Sequence, residues 1–196
     1  MKKIFLSVRE DRINLRNEVR DSIDQKLIDW ILSLNILPII VSNKFQMKHI
    51  KNFKADGLII SGGSDVNKKS NRYFIDKTLI HWAKKNKKPV LGICYGMQIL
   101  SHFDGVKLRK INGHVKRFNR IKSLHKYDFP KKIKCFHNFG YKIFPKNYFV
   151  SAIDRNGIIE AIKHKKLNWH GWMWHPERDK IFNKKLLKLA KDIFYR

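Results

Sequence analysis

At 196 residues, 43% hydrophobic and 12% aromatic, the chain can bury one sizeable core and is too apolar for a disordered segment. Its 43 lysines and arginines against 16 acidic residues give a net charge of +27, a field that attracts anions of every kind. The cations are scattered (Lys84-Lys85, Lys131-Lys132, Lys184-Lys185) and no nucleic-acid motif accompanies them, so neither nucleic acid nor a membrane is an expected partner.

The opening Met1-Lys2-Lys3 leads into Ile4-Phe5-Leu6, a run too brief for a signal-peptide core or a membrane span, and a soluble cytoplasmic protein is expected. Residues 4–8 read as a first strand. Ser22-Ile23-Asp24-Gln25 reads as a capping box. The helix it opens would bury Ile23, Leu27, Trp30, Ile31 and Leu34, which share one face. Strands follow at 37–41 and 57–60, a helix at 73–85 and a strand at 90–93. Strands alternating with helices predict an α/β fold, a parallel sheet covered by helices.

After Gly105 the texture changes. Gly113, Asn138-Phe139-Gly140, Pro145 and Asn156-Gly157 punctuate short β-prone pieces, which predicts a hairpin-rich second half. Its last strands are expected at 158–162 and 169–174, with Trp169, Trp172 and Trp174 forming one aromatic face for the core. A closing helix presents Leu186, Leu189, Ala190, Ile193 and Phe194 to the sheet. There is no repeat or linker, and one domain over residues 1–196 is expected.

The chemistry concentrates in Gly92-Ile93-Cys94-Tyr95-Gly96-Met97-Gln98. An apolar strand runs into a cysteine with a glycine two residues away on each side, and a helix follows at once. This is a thiol version of the nucleophile elbow, in which the sulfur stands at a helix N-terminus and thiolate is favoured. A nucleophile of this kind needs a base, a group to orient the base, and oxyanion donors. Trp174-His175-Pro176-Glu177 supplies the first two: a strand ends in histidine, and a stiff proline turn lets the carboxylate return to the imidazole. The Tyr95 amide and an amide of the loop Ser61-Gly62-Gly63-Ser64-Asp65 are the candidate donors. Cys135 reads as a structural cysteine, His114 as either a hairpin surface residue or a substrate contact, and Arg178 as a solvated side chain. With no CxxC spacing, neither a disulfide framework nor a metal site is expected, and no cofactor is called for.

These motifs, together with Asn112-Gly113-His114-Val115, resemble those of the class I glutamine amidotransferase superfamily over essentially the whole chain. Gly62-Gly63-Ser64-Asp65-Val66 is similar to its free-standing γ-glutamyl hydrolase branch. The resemblance implies a flavodoxin-like three-layer α/β/α domain with a mostly parallel sheet. It also implies a catalytic Cys94-His175-Glu177 triad that cleaves a γ-glutamyl amide through a glutamyl thioester. Gly62, Gly63, Tyr95, Gln98, His137 and Asn138 would then bind the substrate or its oxyanion. Two departures bear on specificity: Tyr95 replaces an arginine frequent in the branch, and Phe136-His137-Asn138-Phe139-Gly140 replaces its His-His-Gln run. The His-Asn-aromatic-Gly run and the Met-Trp-His-Pro-Glu-Arg ending are similar to a capsule-pathway hydrolase of γ-glutamyl-CDP-amidate. The expected partner is therefore a small γ-glutamyl conjugate, nucleotide-linked on this likeness, with room for a homodimer. The other readings are a γ-glutamyl-γ-aminobutyrate-type hydrolase and a glutaminase subunit that delivers ammonia to a synthase.

Overall fold

Each apolar run isolated between helical patterns becomes a strand of one nine-stranded sheet. A computed structural model describes residues 1–63, 65–125 and 127–195, apart from the side chain of Arg16; Ser64 of the expected oxyanion loop lies outside them. Strand β1 (Lys2–Ser7) leads into a ribbon of β2 (Arg9–Ile13) and β3 (Glu18–Ser22), then α1 (Gln25–Ser33) and β4 (Ile36–Val41). Next come α2 (Met47–Ile50), β5 (Gly57–Ile60), α3 (Asn71–Lys85), β6 (Val90–Ile93) and α4 (Tyr95–Phe103). The second half holds β7 (Arg109–Lys110), β8 (Val115–Ser123), β9 (Lys132–Phe136), β10 (Phe139–Gly140), β11 (Tyr148–Asp154), β12 (Ile159–His164) and β13 (Trp169–Trp172). Helix α5 (Lys184–Tyr195) closes the fold.

The sheet runs β4-β1-β5-β6-β13-β12-β11-β8-β9. Its first five strands are parallel, and the hairpin-rich remainder is antiparallel. Numbered among themselves, the parallel strands follow the 2-1-3-4-5 order of flavodoxin-like folds. Helices α1 and α5 pack one face through Leu27, Trp30, Ile31, Leu186, Ala190 and Ile193. Helices α2, α3 and α4 cover the other through Ile50, Ile75, Leu79, Met97 and Leu100. The result is three layers with a core on each side of the sheet. No helix among the described residues is long and apolar enough to cross a membrane.

Three local readings are corrected. Ser22 does not cap α1, because it ends β3 and pairs with Arg9; the cap is Asp24, whose carboxylate accepts the Lys26 amide at 3.0 Å. The three tryptophans do not share a face. Trp172 and Trp174 stack at 5.8 Å in the α1/α5 core, whereas Trp169 is three residues from Trp172, an odd step that turns it into the opposite core. Strand β13 also ends at Trp172, so Trp174 and His175 belong to the loop beyond it.

His170, on β13, is buried against Tyr127 with Nε2 3.1 Å from Asn168 Oδ1. Burial, aided by Lys163, pushes its pKa down to about 3. The unfolded chain therefore takes up a proton near pH 6.5 that the folded chain refuses, and stability falls as pH drops through the window from about 6.5 to about 3. Replacing His170 by glutamine should make the acid limb of a stability–pH curve shallower by up to about 1.4 kcal/mol per pH unit, read by denaturant unfolding at pH 4 to pH 6. Identical slopes in variant and parent would refute this.

Candidate active site

Three adjacent parallel strands deliver the pieces of the site. In register, Ile60 of β5 lies opposite Gly92 of β6, which in turn lies opposite Gly171 of β13. The chain leaving each strand at its carboxyl end therefore starts at one common edge: Ser61-Gly62-Gly63 after β5, Cys94 after β6, and Met173 to His175 after β13. Ligand sites of open parallel sheets gather at such an edge.

Cys94 has φ 51° and ψ −102°, a left-sided conformation that a side chain adopts only when its surroundings hold it there. Its amide donates to Trp172 O at 2.7 Å, and its carbonyl accepts the Gln98 amide at 3.1 Å, fixing the turn from both sides. Nothing larger than glycine fits around it. A Cβ on Gly96 would lie 2.3 Å from Ile60 O, and one on Gly92 would lie 2.5 Å from the Gly96 carbonyl carbon. The sulfur thus stands at the N-terminus of α4, where the helix dipole favours negative charge.

His175 is buried, its Nδ1 lies 2.6 Å from Glu177 Oε1, and Cys94 acts on the charge of its ring. Pro176 opens a one-turn 3-10 segment, Pro176–Arg178, that swings Glu177 back toward the ring. Burial drives the His175 pKa down, but the bonds to Cys94 and Glu177 overcome it and raise the value to about 9. Gly62 packs flat on this ring: a Cβ there would sit 2.3 Å from His175 Cε1.

The Gly62 loop is held from behind by a residue that sequence reasoning missed. Arg72, buried on α3, donates to Ser61 O at 2.6 Å and to Gly62 O at 3.1 Å, and its guanidinium lies 3.8 Å over the Tyr95 ring. Its Nε is 3.4 Å from the fully buried Asp76. Burial raises the Asp76 pKa against the pull of Arg72. The Tyr95 hydroxyl, also buried, is pushed above its usual range by desolvation and by Asp76. The Arg72–Asp76 spacing of four residues on the buried face of α3 was the available signal.

The other expected site residues fall in different places. Gln98 is buried and donates to Phe139 O at 3.1 Å, so it braces the segment after β9. His137 is buried with Nδ1 3.0 Å from Phe139 O and Nε2 facing Glu160, so both ring nitrogens point inward. Asn138 is exposed beside it. His114 is neither a surface residue nor a cleft contact. It is buried against Asp154 and Glu160, and hydrogen bonding to Glu160 raises its pKa to about 9 despite desolvation. Cys135 is fully buried, and desolvation with nearby Glu160 and Asp154 pushes its thiol well above the ordinary range. Arg178 is not simply solvated. Its guanidinium stacks 4.3 Å over Phe136, whose ring meets His175 edge-on at 5.7 Å.

The chain matches the glutamine amidotransferase class-I family over residues 17–188, and it belongs to that family. Among curated relatives it is similar to a γ-glutamyl-CDP-amidate hydrolase of Campylobacter jejuni, 28% identical over 177 residues, or 86% of this chain and 84% of that one. It is also similar to a GMP synthase (glutamine-hydrolyzing) subunit of Thermococcus kodakarensis, 31% identical over 144 residues, covering 70% of this chain and 74% of that one. The fold matches a Thermoplasma acidophilum protein solved as a candidate GMP synthase subunit, with a TM-score of 0.74 at 18% identity over 98% of this chain and 92% of that one. Members of this family are amidohydrolases, and hydrolase chemistry is the coarse activity that the family supports.

Glu177 is one of the two groups that favour the charged imidazole. An NMR titration of the His175 ring should show a midpoint near 9 in the parent protein. Glu177→Gln should move that midpoint down toward the ordinary histidine value by about one unit or more, because the neutral amide no longer stabilises the imidazolium. An unmoved midpoint would overturn the assignment.

Proposed function

We propose that this protein is a hydrolase of a γ-glutamyl amide in a small-molecule conjugate, with γ-glutamyl-CDP-amidate as the substrate and glutamate plus cytidine diphosphoramidate as the products. The observation that carries the reading is the buried line Cys94, His175, Glu177, set against the Gly62 loop at the ends of three neighbouring strands.

In this mechanism the Cys94 thiolate attacks the γ-carbonyl carbon while the imidazolium of His175 stands beside it. The Tyr95 amide and an amide of the Gly62-Gly63 loop receive the oxyanion, and Arg72 keeps that loop in place through its two carbonyl bonds. His175 then gives its proton to the departing nitrogen, the C–N bond breaks, and the glutamyl group remains as a thioester. Water enters, His175 takes its proton, and the thioester opens to free glutamate and the starting thiolate, beside the restored imidazolium. Glu177 holds the ring in the tautomer that both steps need. The conjugate is the expected partner, with room for a homodimer, in a soluble cytoplasmic setting.

Support for a nucleotide-linked leaving group comes from the wall beside His175. Phe136 lies next to it, with Arg178 stacked on one side and Lys134 5.3 Å from its ring centroid; Lys134 also lies 5.8 Å from the exposed ring of Phe118. Alternating aromatic rings and cations suit a base and a diphosphate. The C. jejuni relative's name points the same way. The second reading, a glutaminase that feeds a synthase, is favoured by the likeness to GMP synthase subunits.

Incubating purified protein with γ-glutamyl-CDP-amidate, γ-glutamyl-γ-aminobutyrate and glutamine, and measuring glutamate, separates these readings. Release from the nucleotide conjugate should dominate and should fall by at least about a thousandfold in Cys94→Ala. Release no faster than in that variant would sink the hydrolase reading, and glutamine turnover only upon adding a synthase would select the glutaminase. Arg178→Ala should raise KM for the nucleotide conjugate about tenfold, the order of one lost charge-assisted bond, and leave γ-glutamyl-γ-aminobutyrate unaffected. Equal effects on both would remove Arg178 from leaving-group recognition.

A further inference from the structure

The antiparallel half of the sheet gathers a second set of reactive side chains that the chemistry above does not use. His114 precedes β8, His137 follows β9 and Glu160 lies in β12; one ligand-type atom of each comes within 4.8 Å of the other two. All three are buried, at 2%, 3% and 0% exposure.

The orientation of the two rings is set by backbone. His114 Nδ1 lies 2.9 Å from Asn112 O, and His137 Nδ1 lies 3.0 Å from Phe139 O. A carbonyl only accepts, so each ring carries a hydrogen on Nδ1 and turns Nε2 to the common centre. There His114 Nε2 is 3.4 Å from Glu160 Oε1, and His137 Nε2 is 3.6 Å from Glu160 Oε2. Glu160 thus faces two rings: that of His114, whose Nε2 also bonds Asp154 Oδ2 at 3.1 Å, and that of His137, whose Nε2 has no other partner. A fully buried carboxylate calls for a positive charge at the point it faces; without a metal that charge is the His114 imidazolium, and a bound cation would take the place of its Nε2 proton.

Three features say which positive charge. Histidines that bind metal typically donate their other ring N–H to a carbonyl or carboxylate, and both of these do. Bonds of about 2.0–2.1 Å to a tetrahedral zinc-type ion separate neighbouring ligand atoms by about 3.3–3.4 Å, the scale of the spacings seen. Two imidazoles and a carboxylate suit the zinc class of cations better than calcium or magnesium, which prefer all-oxygen shells. Asp154 Oδ2 accepts from His114 Nε2 at 3.1 Å, an oxygen that a cation replacing that proton would meet, while its Oδ1 accepts the Asn156 and Ile158 amides. The two carboxylates together balance a divalent charge. His114 and Asp154 also line a surface cavity of about 1110 Å³, which gives an ion a way in.

We infer that His114, His137 and Glu160 form a site for one divalent cation of the zinc class, with Asp154 completing or backing its ligand shell. The ion has a structural task. It ties β8, β12 and the segment after β9 together, and that segment follows directly on Phe136, beside His175, and leads to Phe139, whose carbonyl accepts from Gln98. The expectation of no metal is revised on this point: the ligands come from separated parts of the chain, so no local spacing announces them.

The test reads binding without activity. Chelator-treated protein is titrated with Co²⁺ and followed by visible absorption, then challenged with Zn²⁺, and its melting temperature is compared with and without Zn²⁺. The expected result is a stoichiometric tetrahedral Co²⁺ spectrum, abolished by Zn²⁺, and a higher melting temperature with Zn²⁺. His137→Gln and Glu160→Gln should each weaken Co²⁺ binding by more than about a hundredfold, while Cys94→Ala should keep it. A featureless Co²⁺ titration of the parent protein, with its melting temperature unmoved by Zn²⁺, would overturn the site and leave a histidine–glutamate charge cluster. A spectrum lost in Cys94→Ala but kept in His137→Gln would overturn it equally, placing the ion on the thiol. Failure of glutamate release bears on Cys94 and leaves these readings intact.

Discussion

The backbone pairing of β5, β6 and β13 is the constraint on which the rest of the site depends. Hydrogen bonds between parallel strands fix register to the residue, and here that register brings Ile60, Gly92 and Gly171 level. The loops that leave the strands then begin within reach of one another before any side chain is chosen. A one-residue slip of β6 would turn Leu91 and Ile93 to the wrong cores and carry Cys94 off the edge. Burial of those side chains at both faces of the sheet is what prevents it, so the large core holds the small site in place.

Register brings the loops to one edge, and close backbone packing then holds them there. Gly96 rests on the Ile60 carbonyl and Gly62 on the His175 ring, each at a distance that excludes a Cβ. Such contact turns carbonyls and ring edges toward one another with no room for adjustment. The buried Arg72 holds the far side of the Gly62 loop, and Asp76 offsets its charge. That pair is expensive to bury and, by analogy with other buried ion pairs, contributes positioning more than net stability.

Legibility in the sequence follows the range of the interaction. Strands β5 and β6, α1's buried stripe, the elbow and His-Pro-Glu could be read because each is a local pattern: an apolar run, a helical period, or glycines flanking a nucleophile. The β2–β3 ribbon was not legible. It is mostly polar and none of its residues is fully buried, so it carries no alternation of apolar and polar residues. Arg72 hid inside a helix whose charged residues otherwise look solvated. His114 precedes β8, His137 follows β9 and Glu160 lies in β12, and only the pairing of β8, β9, β11 and β12 makes neighbours of them.

The two halves of the sheet thus divide the labour. The parallel half, with fixed register and buried on both faces, holds the reacting groups rigid, which suits chemistry common to a whole family. The antiparallel half supplies Lys134 and the stretch from Phe136 to Phe139, on which Arg178 stacks from the turn after β13; in the proposed reaction these rings and cations would face the departing group. A wall made of hairpins is more mobile than a parallel sheet unless something ties its strands together. The buried histidine–carboxylate cluster under that wall is the tie, and its place explains why such costly groups are concentrated there. The net charge of +27 acts on top of this at longer range, drawing anions toward the whole molecule, and in the proposed function the wall would discriminate among those that arrive.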